Sequence, residues 1–353
     1  MLQPDEVQRI WESSSTRSLY NSPDYARFSE TNGNEIRFEE LNDGAVLPYA
    51  RPNVWTHWHQ TRIPIPSMIA PKHSIYHGLL LPQNRAGFDF DALMDRIYGL
   101  RWSTFFPRIS FVQSALVEDG PADFLQEFSA AIDSSSGTQT PTTTRVIHLP
   151  LVASQEPRAD ELDLGGLHEQ TAFDSIMETY ASKRRYDIRR AEREGVVVLV
   201  TRVGSDRAAA DLYSTIMAVH QESWSRTGLG PHSYSYWLQL SRAIRESGGH
   251  DIVSRAFNSA GELIAVSVVH LRGKSAYYQM NSSTLEGHRL SANPLSLHAA
   301  ISVANFWGTE YFELGRSSVT ENPKAKSVMD YKEQFGGQSY IVPNFVITTP
   351  FDR

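Results

Sequence analysis

The 353-residue chain contains no cysteine. That absence removes disulfides, thiolate nucleophiles and zinc–thiolate sites together. Long apolar runs are missing too: the longest, such as YHGLLLP, fall well short of the roughly 20 residues that cross a bilayer. The opening MLQPDEVQRIWESSS lacks the apolar stretch of a secretory signal. These absences set the expectation of a cytoplasmic protein with no membrane insertion. No G-x-S-x-G elbow occurs, so nothing in the sequence points to an acyl-serine route. Positive charge is also in deficit, with 33 Lys and Arg against 40 Asp and Glu, a formal net charge of -7. That excludes the generally basic footprint of a nucleic-acid coat protein but leaves room for one local basic patch. What is present is ordinary: 41% apolar and 21% charged residues can fill a core, and the length points to two domains.

Along the chain, NEIRFEELNDGAVLPYA has the pattern of a hairpin turning at Asn42-Asp43-Gly44. DFDALMDRIYGL spaces Leu93, Ile97 and Leu100 as an amphipathic helix, and PADFLQEFSAAID predicts another with Pro121 in its first turn. The Ser/Thr-rich stretch 134–144 is a loop, and RVIHLPLV a strand. A second part starts near Leu167. EQTAFDSIMETYA predicts one helix, VVVLVTRV a strand, and AADLYSTIMAVHQESWSRTG and SYSYWLQLSRAIRESGG two helices with glycine stops. Three strands follow, then a helix in ANPLSLHAAISVANFWG with Asn293 as N-cap and Pro294 at its first position, and a strand in TEYFELG. The fold class is mixed α/β.

One segment stands against the acidic background. SKRRYDIRRAEREGVVV carries Lys183, Arg184, Arg185, Arg189, Arg190 and Arg193 within its first twelve positions. At 100° per residue, Arg185, Arg189 and Arg193 form an i, i+4, i+8 ridge opposite the apolar stripe of Ile188 and Ala191, with Lys183 and Arg190 flanking it. Arg184 falls inside the stripe with Asp187 three residues on, the arrangement of a structural ion pair. The ridge is a solvated face or a phosphate-binding surface.

The same segment opens a series of motifs that resembles the FemABX family of the Gcn5-related N-acyltransferase superfamily. SKRRYDIRRAEREGVVV is similar to the family's basic helix, and HQESWSRTGLG to its helix ending in an Arg-x-Gly turn. AYYQMNSSTLEGHRLSANPLSLHAAI and YFELGRSSVTENPKAKSVMDYKEQFGG follow in the family's order. The match runs over residues 145 to 340. It implies α/β architecture with two Gcn5-related N-acyltransferase-like domains packed on each other, the first over residues 1–150 and the second over 151–340, with 341–353 returning to the first. It also implies transfer of an amino acid from aminoacyl-tRNA to an amine, with the tRNA as co-substrate, no other cofactor and a monomeric enzyme.

By resemblance, Lys332 in YKEQFGG is the catalytic candidate, an ammonium that would stabilise the tetrahedral oxyanion. Its residue type alone allows instead a surface lysine on a strand beside the Gly-Gly turn. Arg226 matches an arginine that contacts the diphosphate of the acceptor, though a C-terminal helix arginine suits the dipole equally. Tyr277 and Tyr278 alternate across a strand, so one faces a cleft and the other the core. Arg185, Arg189, Arg193, Lys183 and Arg190 become candidates for tRNA binding. Acetyl-CoA-binding relatives cradle pyrophosphate on a glycine-rich loop. Here the matching EGHRLSANP has only Gly287 and includes Pro294, which favours aminoacyl-tRNA over acyl-CoA. His57 and His59 share strand spacing but lack a third metal ligand nearby, and no general base stands out. The acceptor is a peptidoglycan precursor or a nucleoside or peptide metabolite. An acyl-CoA-dependent N-acyltransferase and a non-catalytic tRNA- or partner-binding protein remain the alternatives.

Overall fold

A computed structural model describes residues 3–18, 21–31, 34–40, 45–52, 55–58, 61–66, 72–75, 80–81, 88–93, 95, 108–112, 115–117, 119–122, 128, 130, 138–139, 142–151, 161–226, 230–318, 323–342 and 344–347. The chain divides into two compact units: Met1–Thr144 with Arg316–Glu321 and Tyr340–Arg353, and Arg145–Gly315 with Asn322–Ser339.

In the first unit, α1 (Pro4–Ser13) and α2 (Pro23–Thr31) precede the antiparallel hairpin of β1 (Asn34–Glu40) and β2 (Val46–Pro52). The turn expected at 42–44 lies outside the described residues, as does half of the helix expected over 89–100. β3 (Trp55–Trp58) and β4 (Thr61–Pro66) pair separately. β5 (Lys72–Ile75) runs parallel to β6 (Arg108–Val112). Pro121 does not open a helix. It sits in β8 (Gly120–Pro121), paired with β7 (Leu116–Val117), because the Leu116–Pro121 pairing closes a tight hairpin there. With β9 (Thr138–Gln139) and the C-terminal β18 (Asn344–Ile347), a six-stranded sheet has the order β1-β2-β5-β6-β18-β9. Trp11, Val46 and Leu80 form a buried cluster in this unit, and the Trp11 indole donates to Asn21 Oδ1 at 3.1 Å.

The second unit is built on the sheet order β11-β12-β13-β14-β15-β16-β10-β17. Its strands are β10 (Thr142–His148), β11 (Glu161–Asp163), β12 (Val197–Val203), β13 (His250–Phe257), β14 (Leu263–Arg272), β15 (Ser275–Ser283), β16 (Tyr311–Ser318) and β17 (Gln338–Val342). The helix expected over 169–181 is two: α3 (Leu164–Gln170) and α4 (Phe173–Glu178). The break comes at Thr171, whose amide and hydroxyl both bond Leu167 O and so end the first helix. Then follow α5 (Ser182–Arg193), α6 (Asp206–Ser225), α7 (Tyr234–Glu246), α8 (Leu285–Arg289), α9 (Ala292–Phe306) and α10 (Pro323–Glu333). Helix α9 starts two residues earlier than its sequence suggests. Ser291, at φ 57, is its N-cap, which puts Asn293 second and Pro294 third in the helix.

Helices cover both faces of this sheet. Ser296 of α9 donates to Ser254 of β13 and Ser267 of β14, whereas Tyr213 of α6 donates to Asp251, which holds His270 of β14 at 2.7 Å. Residues three apart on a strand point to opposite faces, so α9 and α6 lie on opposite sides. The apolar core clusters Val198, Val200, Ile252 and Val269 with α9, which is buried along nearly its whole length.

Candidate functional site

Two features of β15 open the centre of the second unit. Val268 pairs with Met280 but Val269 with Tyr278, so Gln279 is an extra, bulged residue. Parallel pairing of β15 with β16 covers only Ser275–Tyr277 against Tyr311–Glu313. Beyond that point the two strands part, leaving Tyr278 and Gly315 on the two sides of a wedge.

Lys332 sits at this wedge. It lies in the last turn of α10, not on a strand, and it is not a surface residue: its relative exposure is 7%. A helix forms because Pro323 suits a first turn and strand pairing resumes only at Gln338. The Lys332 ammonium donates to Gly315 O at 2.9 Å and lies 5.5 Å from the Tyr278 ring centroid. A carbonyl and an aromatic face thus offset part of its desolvation. Gly315 has φ +70, and a Cβ there would sit 3.4 Å from Tyr278 Cδ1 and 3.6 Å from Lys332 Nζ. Those are ordinary contacts, so it is the positive φ that makes glycine the residue suited to this carbonyl position. Burial raises the Tyr278 phenol, and the neighbouring Tyr331 adds to the shift.

Tyr331, next to Lys332, accepts from Asn281 Nδ2 at 3.2 Å, and that same amide donates to Asn293 O at 3.4 Å. Burial pushes the Tyr331 phenol up to about 12, against opposing pulls from Arg184 and the Asn281 hydrogen bond. Asn281 Oδ1 and Asn293 Oδ1 are buried with no hydrogen-bond partner among the described residues. Two buried acceptor oxygens are therefore left without a partner in this network. Sequence reasoning missed Asn281, Asn293, Tyr331 and Gly315, although all four fall within the motifs that carry the family resemblance.

The two adjacent tyrosines separate as strand alternation requires. Tyr278 faces Lys332, while Tyr277 is 1% exposed and lies opposite His270 on the α6 side. Arg226 caps α6, donating to Glu222 Oε1 at 2.8 Å and to Ser283 O, so its guanidinium ties the helix to the end of β15.

On α5 the basic residues divide. Arg184 is buried. It stacks over Tyr331 and Phe335 at 4.3 and 4.5 Å and donates to Tyr331 O and Gln334 Oε1, both at 3.1 Å. Asp187 is a more distant partner at 3.7 Å, so the structural ion pair read from the sequence is secondary to these α10 contacts. Arg185 is half-buried, bonded to the carbonyls of Glu178 and Tyr180 at the end of α4. Arg189 and Arg193 are exposed, Arg193 beside the Tyr186 ring at 5.7 Å. Lys183 and Arg190 reach Asp187 and Glu194 at 3.1 and 3.9 Å. His57 pairs across from Pro64 and His59 lies outside the described residues. Among the described residues no group of three His, Cys, Asp or Glu could hold a metal.

Five backbone N–H groups of the loop before α9 are bonded within the protein: Leu285 to Glu222 Oε1, Gly287 to Thr284 Oγ1, and His288, Leu290 and Ser291 to nearby carbonyls. Pro294 offers none, and Glu222 and Glu286 add negative charge. Gly287 has another purpose, since a Cβ there would stand 2.1 Å from Ile264 O. It lets α8 lie against β14.

Residues 182–333 match the family described as an acetyltransferase (GNAT) domain, so the second unit carries an acyltransferase domain of GNAT type. No curated protein matches the chain. Among solved structures the chain is similar to FemX, at 11% identity and TM-score 0.61, covering 100% of this chain and 97% of that one. It is similar to L-PGS from Bacillus licheniformis, at 11% and 0.54, covering 99% and 92%. A tandem GNAT protein from the clavulanic acid biosynthesis pathway aligns at 11% and 0.51, covering 97% and 93%. The chain has the FemABX-like tandem GNAT fold. Among the described residues no helix is long and apolar enough to cross a membrane.

Proposed function

We propose that this protein transfers an amino acid from aminoacyl-tRNA to the amine of a small-molecule acceptor. The observation that carries this reading is the loop before α9, where five amides are bonded within the protein and Pro294 supplies none, so fewer donors are left for a CoA pyrophosphate. The buried, unpartnered acceptors Asn281 Oδ1 and Asn293 Oδ1 add to it. The α-amino group of an aminoacyl ester has N–H donors for such oxygens, and an acetyl group has none.

In the reaction the acceptor nitrogen attacks the ester carbonyl, the N–C bond forms and the C–O bond to the terminal ribose breaks. The amine proton ends on the ribose oxygen. The ester is already activated, so no covalent enzyme intermediate is required. Lys332 faces the wedge from Gly315 O and would donate to the oxyanion of the tetrahedral intermediate. Tyr278 forms the wall beside it. Arg226, which caps α6 and bonds the Ser283 carbonyl at the end of β15, would meet an anionic group of the acceptor in this reading. Arg189 and Arg193, flanked by Lys183 and Arg190, supply an exposed cationic face for tRNA phosphates, and Arg185 supports that face from below.

An acyl-CoA-dependent N-transfer is the second reading, favoured by the description of the matching family as an acetyltransferase domain. The two separate in one assay: purified protein is given radiolabelled charged tRNA or acyl-CoA with a panel of amines, with and without RNase. Product that forms from charged tRNA and disappears with RNase supports the proposal. Product from acyl-CoA alone, unaffected by RNase, overturns it.

A further inference from the structure

Helix α5 buries Arg184, Ile188 and Ala191 on its inner side. At about 100° per residue, Arg189, Arg193, Tyr186, Arg190 and Lys183 follow one another across an arc of about 120° on the outer side. Tyr186 and Arg193 stand opposite the buried stripe. Asp187 and Glu192 flank the arc, and no carboxylate of the helix falls inside it. Four cations therefore surround one tyrosine.

That tyrosine is 58% exposed. Its ring meets Arg193 at 5.7 Å and no other ring, and its hydroxyl has no hydrogen-bond partner among the described residues. Tyr234, also exposed, differs in donating its hydroxyl to Ala210 O at 3.0 Å. Arg189 and Arg193 have no carboxylate partner among the described residues either. Like charges at i, i+4 destabilise a helix, and an exposed ring adds nothing to a core. An anionic ligand with a flat face would offset the first and use the second. A nucleic-acid duplex offers phosphates but keeps its base faces stacked on one another, whereas an unpaired nucleotide offers both. A membrane surface calls for an apolar helix face, and this arc has one aromatic residue among its cations.

We propose that this side of α5 binds an unpaired RNA nucleotide, its base stacked on Tyr186 and its flanking phosphates held by Arg189, Arg190 and Arg193. The proposal deepens the tRNA reading and rests on it for the identity of the strand. Arg184, on the opposite side of the same helix, faces Tyr331, the neighbour of Lys332. The nucleotide stacked on Tyr186 is therefore not the aminoacylated terminus but another unpaired position of the same RNA.

The test is binding by the full chain without any acceptor. Fluorescence anisotropy is followed with labelled octaadenylate and with a blunt RNA duplex carrying the same number of phosphates. The single strand should bind more tightly than the duplex. Tyr186→Leu should weaken the strand at least about fivefold, the low end of base–aromatic stacking. The slope of log K against log salt should stay as it is, because no phosphate contact is lost. Tyr186→Phe keeps the ring and should keep most of the affinity, and at this exposed position neither variant should move the thermal midpoint. Absence of saturable strand binding, equal affinity of strand and duplex, or native affinity in Tyr186→Leu overturns the stacking site. So does preferential binding of a polyglutamate peptide or of phosphatidylglycerol vesicles. RNase-sensitive transfer with native strand affinity in Tyr186→Leu would remove the site and keep the reaction. Tyr186-dependent strand binding in a protein that forms product from acyl-CoA alone would do the reverse.

Discussion

The Arg184 guanidinium lies 4.3 Å from the ring centroid of Tyr331 and donates at 3.1 Å to that residue's own carbonyl oxygen. One buried cation on α5 therefore holds α10 by both its backbone and its aromatic face. Lys332 is the next residue on α10, so Arg184 is a positioning residue for the wedge. Burial lowers the Arg184 pKa, with Tyr331 and Asp187 opposing the shift. Arg184→Met keeps volume and removes the charge, leaving Tyr331 O and Gln334 without their donor. It should cost about 1–3 kcal/mol in urea unfolding. Folded Arg184→Met should also lose kcat at unchanged acceptor KM, and Arg184→Lys should restore little of it, because lysine lacks the planar fork. A stability loss with full kcat would leave Arg184 a fold residue alone.

Lys332→Ala should lower kcat by about 10²–10³, the loss typical of removing one oxyanion donor, with the circular dichroism spectrum preserved. Gly315→Ala should act on the same step from the other strand. Its φ of +70 costs a non-glycine residue about 1–2 kcal/mol, and the added methyl meets Tyr278 and Lys332. Steady-state rates of the two variants check both statements, and near-wild-type turnover in Lys332→Ala rejects the role.

The α5 arginines should separate by assay. Arg185→Ala removes bonds to Glu178 O and Tyr180 O and should destabilise the protein by about 1–3 kcal/mol. Arg189→Ala with Arg193→Ala, both at exposed positions, should leave stability within about 0.5 kcal/mol. The double variant should bind charged tRNA more weakly, with the slope of log K against log salt reduced by about 0.7–0.9 per lost phosphate contact. Filter binding over a salt series decides it, and an unchanged slope removes this face from the tRNA interface.

His298 gives the second unit a pH dependence. Burial pushes its imidazole down to about 3, the charge of His168 also lowers it, and Tyr180 OH lies 3.1 Å from Nδ1. Between pH 6.5 and pH 3 the unfolded chain binds a proton here that the folded chain does not. The contribution is therefore complete above pH 6.5 and is lost as pH falls toward 3, by about 1.4 kcal/mol per pH unit. Urea midpoints at pH 7 and pH 5 should differ more for the native protein than for His298→Leu. Equal differences would contradict this account.

Much of the second unit was legible because its signals are local. Apolar periodicity and glycine stops placed α6 and α7, a nearly unbroken β-branched run placed β12, and the flanking turns at 258–261 and 272–274 placed β14. The break between α3 and α4 was not legible, since it depends on the Thr171 hydroxyl choosing a carbonyl one turn back. Nor was the N-cap of α9, set by Ser291 in the left-handed region rather than by Asn293. Helix α10 is not legible in the sequence because KAKSVMDYKE carries little amphipathic pattern, which leaves Lys332 equally suited to a strand.

The sequence by itself determined the fold class, the order of the motifs, the exclusion of cysteine chemistry and the buried, apolar-stripe place of Arg184. These follow from composition and from periods of two and 3.6 residues. Tertiary structure alone decided which charges are spent inside the fold and which face outward. Arg185 and Arg189 are four residues apart on one helix ridge, yet one caps α4 and the other stands in solvent. The wedge was decided the same way: Tyr278, Gly315 and Lys332 come from two strands and a helix. Only the bulge at Gln279 and the parting of β15 from β16 bring them together.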